Sequence, residues 1–131
     1  MTLRILMVED SAAMRAHLTD KLASGAEVAV VGVAATEAHA KYWMECNPDA
    51  WDIAVVDLFL REGSGAGVVE YCRQLYPDRG VLVMTNHAMN ERLRHDCMRM
   101  GADAVYHKAG ELDDLVAYCA ERAIQRLASV Q

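Results

Sequence analysis

Residues 3–11 read LRILMVEDS, an almost wholly apolar run that stops abruptly on the paired acids Glu9-Asp10. A short Leu/Ile/Val run without polar alternation is the signature of a strand covered on both faces. Four further runs share that character: Val28–Val33, Ile53–Asp57, Val81–Thr85 and Ala104–His107. Helical patterns separate them. Met14, Leu18 and Leu22 recur at i, i+4 and i+8; Glu37–Cys46 and Gly67–Leu75 supply a second and a third helix. Leu93, Cys97 and Met100 share one face of a fourth, and Leu112, Val116, Cys119, Ala123 and Leu127 line a fifth. Glu111, Asp113 and Asp114 stand where the fifth helix begins, at its positive dipole end. Strands and helices alternate, so right-handed crossovers predict a (βα)5, doubly wound, three-layer α/β domain with a parallel sheet.

In such sheets ligands bind beyond the carboxyl ends of the strands. The first strand ends on Glu9-Asp10, the third on Asp57, the fourth on Thr85 and the fifth on His107-Lys108, while the second ends blandly on Ala34-Ala35-Thr36. Parallel strands bring these ends to one rim. Two carboxylates about 4 Å apart at an effective dielectric near 20 repel by roughly 4 kcal/mol, so three need positive charge nearby. Lys108 supplies one charge, and a divalent cation is the natural second. All-oxygen ligands with room for water suit Mg²⁺. A carboxylate beside Mg²⁺ can attack phosphorus and form an acyl phosphate, a reaction governed by positioning and charge neutralisation.

The order L-x-I-L-x-V-E-D-S, V-V-D-L, V-L-V-M-T and G-A-D-A-V-Y-H-K resembles the receiver domain of two-component response regulators, in its stand-alone single-domain form, over about Leu3 to Leu127. The resemblance implies a flavodoxin-like fold with a five-stranded sheet in order 2-1-3-4-5, and residues 1–131 as one receiver domain. It implies that Asp57 is the phosphoacceptor, that Asp10 and Asp57 ligate Mg²⁺ with the backbone carbonyl of Phe59, and that Glu9 acts largely through water. Lys108 would pair with the acceptor or its phosphoryl oxygen, and Thr85 would donate its hydroxyl to the phosphoryl group. Tyr106 would change rotamer as Thr85 moves. The implied function is a phosphorelay switch that takes its phosphoryl group from a phosphohistidine donor, on a sensor histidine kinase or a histidine phosphotransfer protein. Its output would pass through the fourth helix, fifth strand and fifth helix to a downstream protein or a second copy of the chain. By the same resemblance it would catalyse only its own phosphotransfer and autodephosphorylation, and would not otherwise be an enzyme.

Three positions depart from the pattern. Ala109 follows Lys108 where many receivers have proline, and a cis bond before alanine would cost ~2.5–4 kcal/mol. Asn86 follows Thr85 where a small residue is usual. Phe59 and His87 stand beside the same opening, and with Asn86 are expected to tune access and phosphoryl lifetime. Phe59 also weighs against an Asp-nucleophile phosphatase of the haloacid-dehalogenase type, which needs a second Asp at that position. The sequence is also compatible with a degenerate receiver that acts as a phosphorylation-independent binding scaffold. So it is with the receiver part of a longer DNA-binding regulator.

Composition agrees with a single soluble, cytoplasmic domain. The chain has 131 residues, 53% hydrophobic and 24% charged, enough for one core. A formal net charge of -6 argues against direct nucleic-acid binding. No run approaches the ~20 apolar residues of a membrane span, and the apolar start is too short for a signal peptide. Cys46, Cys72, Cys97 and Cys119 lack metal-ligand spacing and are expected to be reduced core residues. Gly63-Ser64-Gly65-Ala66-Gly67 lacks nucleotide-loop spacing and reads as a flexible loop. Arg92, His95 and Arg99, and the pair Arg122 and Arg126, read as solvated helix faces or as a surface for an acidic partner. His17, His39 and His87 have no metal-ligand spacing and no catalytic role is assigned to them.

Overall fold

A computed structural model of the chain describes residues 2–24 and 27–129. The elements follow in strict alternation: β1 (Leu3–Val8), α1 (Ala12–Ala23), β2 (Val28–Ala34), α2 (Glu37–Cys46), β3 (Ile53–Asp57), α3 (Gly65–Leu75), β4 (Gly80–Thr85), α4 (Glu91–Met100), β5 (Ala104–His107) and α5 (Leu112–Ser129). All strand pairs are parallel, as the alternation predicts, and the order is β2-β1-β3-β4-β5, as the family resemblance implies.

Side-chain alternation sorts the strand residues between two half-cores. Ile5, Met7, Ile53, Val55, Leu82 and Met84 face α1 and α5, where Leu18, Leu22, Leu115 and Cys119 meet them. Leu6, Val8, Ala54, Val56, Val81 and Val83 face α2, α3 and α4, against Met44, Val68, Cys72 and Cys97. Both faces are covered, which explains why the strand sequences lack polar alternation. The side chain of Leu127 lies outside the described residues.

Short polar side chains set the helix starts. The oxygens of Ser11, Thr36, Ser64 and Asn90 accept backbone N–H groups of Met14, His39, Ala66 and Leu93 at 3.0–3.2 Å. The Ser64 cap also corrects the sequence reading, because α3 begins at Gly65 and not at Gly67. Gly65 to Gly67 are therefore the first helical turn. A Cβ on Gly65 would sit 2.1 Å from the carbonyl oxygen of Asp57, and one on Gly67 would meet the Glu37 carboxylate at 2.3 Å. These glycines are required by close packing, not by flexibility.

Cys72, Cys97 and Cys119 are buried as expected, but Cys46 is exposed. The buried side of α2 carries Ala40 and Met44, and two residues past Met44 lies on the opposite side of the helix. At the foot of the sheet, Asp52 receives the Arg4 amide (2.8 Å) and guanidinium (3.1 Å) and pairs with Arg126 at 2.5 Å. This arrangement ties α5 to the bases of β1 and β3. Arg126 is thus part of a structural ion pair, while Arg122 is exposed.

Candidate functional site

At the other end of the sheet, β1, β3, β4 and β5 deliver Glu9, Asp57, Thr85 and Lys108 to one cleft. Glu9, Asp57 and Thr85 are buried, a rare environment for acids that lack partners. The turn after β1 sends two adjacent acids in different directions. Glu9 folds inward, where its Oε2 accepts the Ser11 amide at 3.0 Å. Asp10 stays nearer the surface and accepts the Arg61 amide on Oδ2 at 2.7 Å, with the Arg61 guanidinium 4.0 Å away. Asp57 accepts the Phe59 amide on Oδ1 and the Lys108 ammonium on Oδ2, each at 3.2 Å.

Lys108 bridges two acids. Its Nζ lies 2.6 Å from Glu9 Oε1 and 3.2 Å from Asp57 Oδ2. The contact to Glu9 is the tighter of the two, so one ammonium is shared between two buried carboxylates. Burial pushes the Glu9 carboxyl up; Lys108 and the Ser11 amide oppose this without cancelling it. Asp10 is also raised by burial, but its contact with Glu9 and the Arg61 groups outweigh that and hold it low. Burial would lower Lys108; the facing carboxylates of Glu9 and Asp57 dominate and keep it protonated.

One carboxylate oxygen each from Glu9, Asp10 and Asp57 lies within 4.8 Å of the others. The donor set is entirely oxygen, partly open to solvent through Asp10, and carries three negative charges against one from Lys108. The all-oxygen donor set and this charge excess both fit a hard divalent cation. His17, His39 and His87 take no part in the acidic cluster.

Thr85 is fully buried and its Oγ1 accepts the His87 amide at 3.1 Å, which leaves the hydroxyl proton for another acceptor. The His87 ring meets Phe59 edge-on, with centroids 5.2 Å apart. Phe59, Asn86 and His87 are all exposed. Tyr106 is half-buried opposite Met84, one residue before the partner of Thr85 in the ladder, and burial pushes its phenol up to about 12. The backbone contains no cis peptide among the described residues, so Lys108–Ala109 is trans. Arg92, His95 and Arg99 are exposed on α4.

Three supporting residues escape the sequence reading. Arg61 clips the loop after β3 to Asp10. Glu37 accepts the Ser64 amide and pairs with Lys41, both at 2.7 Å, and so holds that loop from the side of α2. Arg94 bonds to the β4–α4 loop and to β5. The signal for Arg94 in the sequence is its place beside Leu93, off the 92/95/99 stripe; nothing in the spacing of Arg61 or Glu37 points to the cleft.

Residues 5–120 match a family model described as the response regulator receiver domain. A relative from Mycobacterium tuberculosis (strain ATCC 25618 / H37Rv), the DNA-binding transcriptional activator DevR/DosR, is 34% identical over 94 residues, covering 69% of this chain and 41% of its own. The chain therefore matches about two fifths of that relative's length. Among solved structures, a LuxR-family two-component response regulator from Aurantimonas sp. SI85-9A1 superposes with a TM-score of 0.84 at 23% identity, over 95% of this chain and 87% of that one. The CheX-CheY-BeF3-Mg+2 complex from Borrelia burgdorferi contains a chain with a TM-score of 0.77 at 20% identity, covering 98% and 88%. At these identities the two structures speak to fold alone.

Proposed function

The chain belongs to the response regulator receiver domain family, and from that premise we propose that it is a switch phosphorylated on Asp57. The observation that carries the reading is the convergence of Glu9, Asp10 and Asp57, with Lys108 against Glu9 and Asp57 and with Asp57 buried on two donors. A carboxylate oxygen of Asp57 attacks the phosphorus of a phosphohistidine on a sensor kinase or phosphotransfer protein. The new P–O bond forms as the P–N bond breaks, and the electron pair and a proton go to the imidazole nitrogen. Bound at Asp10 and Asp57, with Glu9 acting through water and the Phe59 carbonyl as a further ligand, Mg²⁺ would neutralise the phosphoryl oxygens and the crowded acids.

The chain's own residues do the remainder. Lys108 is protonated and already beside the acceptor, so it stabilises charge without reorganising. The free Thr85 proton donates to a phosphoryl oxygen. Tyr106, expected to turn with Thr85, packs instead on the opposite sheet face toward α1 and α5 and is not placed to follow it. Phe59 and His87, ring against ring, shield the acyl phosphate from water. The changed surface is that of α4, β5 and α5, which meets a downstream protein or a second copy. The cytoplasm is the site of action this reading assigns to the switch. No described helix is long and apolar enough to cross a membrane.

The rival, a scaffold that binds partners without phosphorylation, is separated by binding of beryllofluoride, a phosphoryl mimic. The wild type is expected to bind it only with Mg²⁺ present, and Asp57→Asn is expected not to bind. Absence of binding by the wild type favours the scaffold.

A further inference from the structure

Among the described residues no strand lies beside the outer edge of β5, which ends the sheet. Two side chains cover its polar groups instead. Arg94 Nη1 donates to the Val105 carbonyl at 2.8 Å, and Glu111 Oε1 accepts the His107 amide at 2.9 Å. Arg94 Nη2 reaches the same Glu111 oxygen at 3.4 Å. The third arm of the fork, Nε, donates to the Ala88 carbonyl at 3.1 Å. A single guanidinium in the first turn of α4 thus joins the β4–α4 loop, the edge of β5 and the start of α5.

Ala88 is buried, and its loop begins at Thr85, whose hydroxyl oxygen holds the His87 amide. If Thr85 turns toward a phosphoryl group, that tie is either dragged along or broken, and in both cases residues 87 and 88 shift. The Ala88 carbonyl cannot shift without disturbing Arg94, and Arg94 cannot move without uncovering Val105 and Glu111. We propose that Arg94, paired with Glu111, is the positioning residue that transmits engagement of Thr85 to the β5–α5 corner. This rests on the reading of Asp57 as the phosphoacceptor. It adds a route along the outer edge of β5, distinct from the Tyr106 side chain, which packs on the sheet face toward α1 and α5.

A planar fork is required. A lysine ammonium at position 94 would keep the charge but could not serve three acceptors that lie in different directions. The test measures amide hydrogen exchange across residues 86–94 and 104–111, with and without beryllofluoride and Mg²⁺, on the full chain. The variants are Arg94→Lys, Arg94→Met and Glu111→Gln, the last guarding against misfolding of the first two. Beryllofluoride affinity is measured on the same samples. The wild type is expected to show ligand-dependent changes in both segments. In the variants affinity should stay within ~3-fold of wild type, while the response of 104–111 is lost and that of 86–94 persists. A wild-type-sized response of 104–111 in all three variants overturns the proposal. A wild type that binds beryllofluoride but leaves 104–111 unchanged also overturns it, with the phosphoacceptor reading intact. A wild type that does not bind overturns both.

Discussion

Lys108 neutralises two buried acids at once, 2.6 Å from Glu9 and 3.2 Å from Asp57. Lys108→Met leaves both facing each other with no cation, a change of the kind that costs about 3 kcal/mol or more. Urea unfolding near neutral pH is expected to show that loss, with added Mg²⁺ recovering part of it; an undiminished midpoint would contradict the role given to Lys108. Phe59 and His87 make the second residue-level prediction. Removing either ring in Phe59→Ala or His87→Ala should speed loss of the phosphoryl group by about threefold or more, near 0.6 kcal/mol of barrier. Unchanged dephosphorylation rates would refute the shielding. The acids, Thr85 and Lys108 were legible in the sequence because each terminates a strand. The partition of Glu9 inward and Asp10 outward was not, since it depends on the Ser11 and Arg61 amides rather than on any side-chain pattern.

Elements show where the sequence pattern runs out. The bounds of β1, β3, β5 and α2 follow directly from apolar runs and their polar stops. The start of α3 does not, because glycines at positions 65 and 67 look like a loop until the backbone of Asp57 and the carboxylate of Glu37 are seen against them. Gly65→Ala should therefore destabilise the domain by roughly 2–3 kcal/mol, the cost of forcing a methyl against backbone. A thermal midpoint equal to wild type would show that α3 can yield. At the foot of the sheet, burial raises the Asp52 carboxyl, but Arg4 and Arg126 prevail and hold it at about 2. Its contribution is complete above its ordinary value of 3.8 and disappears as pH falls through about 2. Both guanidiniums are about one third exposed. Discounted for that screening, the contribution is about 1–2 kcal/mol. Asp52→Asn should lower stability at pH 7 by about that amount and have little effect near pH 2.

For the molecule as a whole, the doubly wound three-layer architecture could be anticipated, because doubly buried strands alternating with helices admit few topologies; the strand order came from the family resemblance. The charge excess of the cleft was legible too; what the sequence could not supply is that Lys108 lies closer to Glu9, at 2.6 Å, than to Asp57, at 3.2 Å. Glu9, Asp10 and Asp57 outweigh Lys108, so a divalent cation should stabilise the fold by mass action. At a Mg²⁺ concentration ten times its Kd the gain is about 1.4 kcal/mol, or roughly 3–5 °C in Tm. Asp10→Asn should abolish most of that shift. The central claim is the identity of the acceptor, and the most direct measurement is intact-mass spectrometry after incubation with acetyl phosphate and Mg²⁺. The wild type should gain one phosphoryl mass, and Asp57→Asn none. The same adduct on Asp57→Asn, or no adduct on the wild type, would contradict the assignment of Asp57.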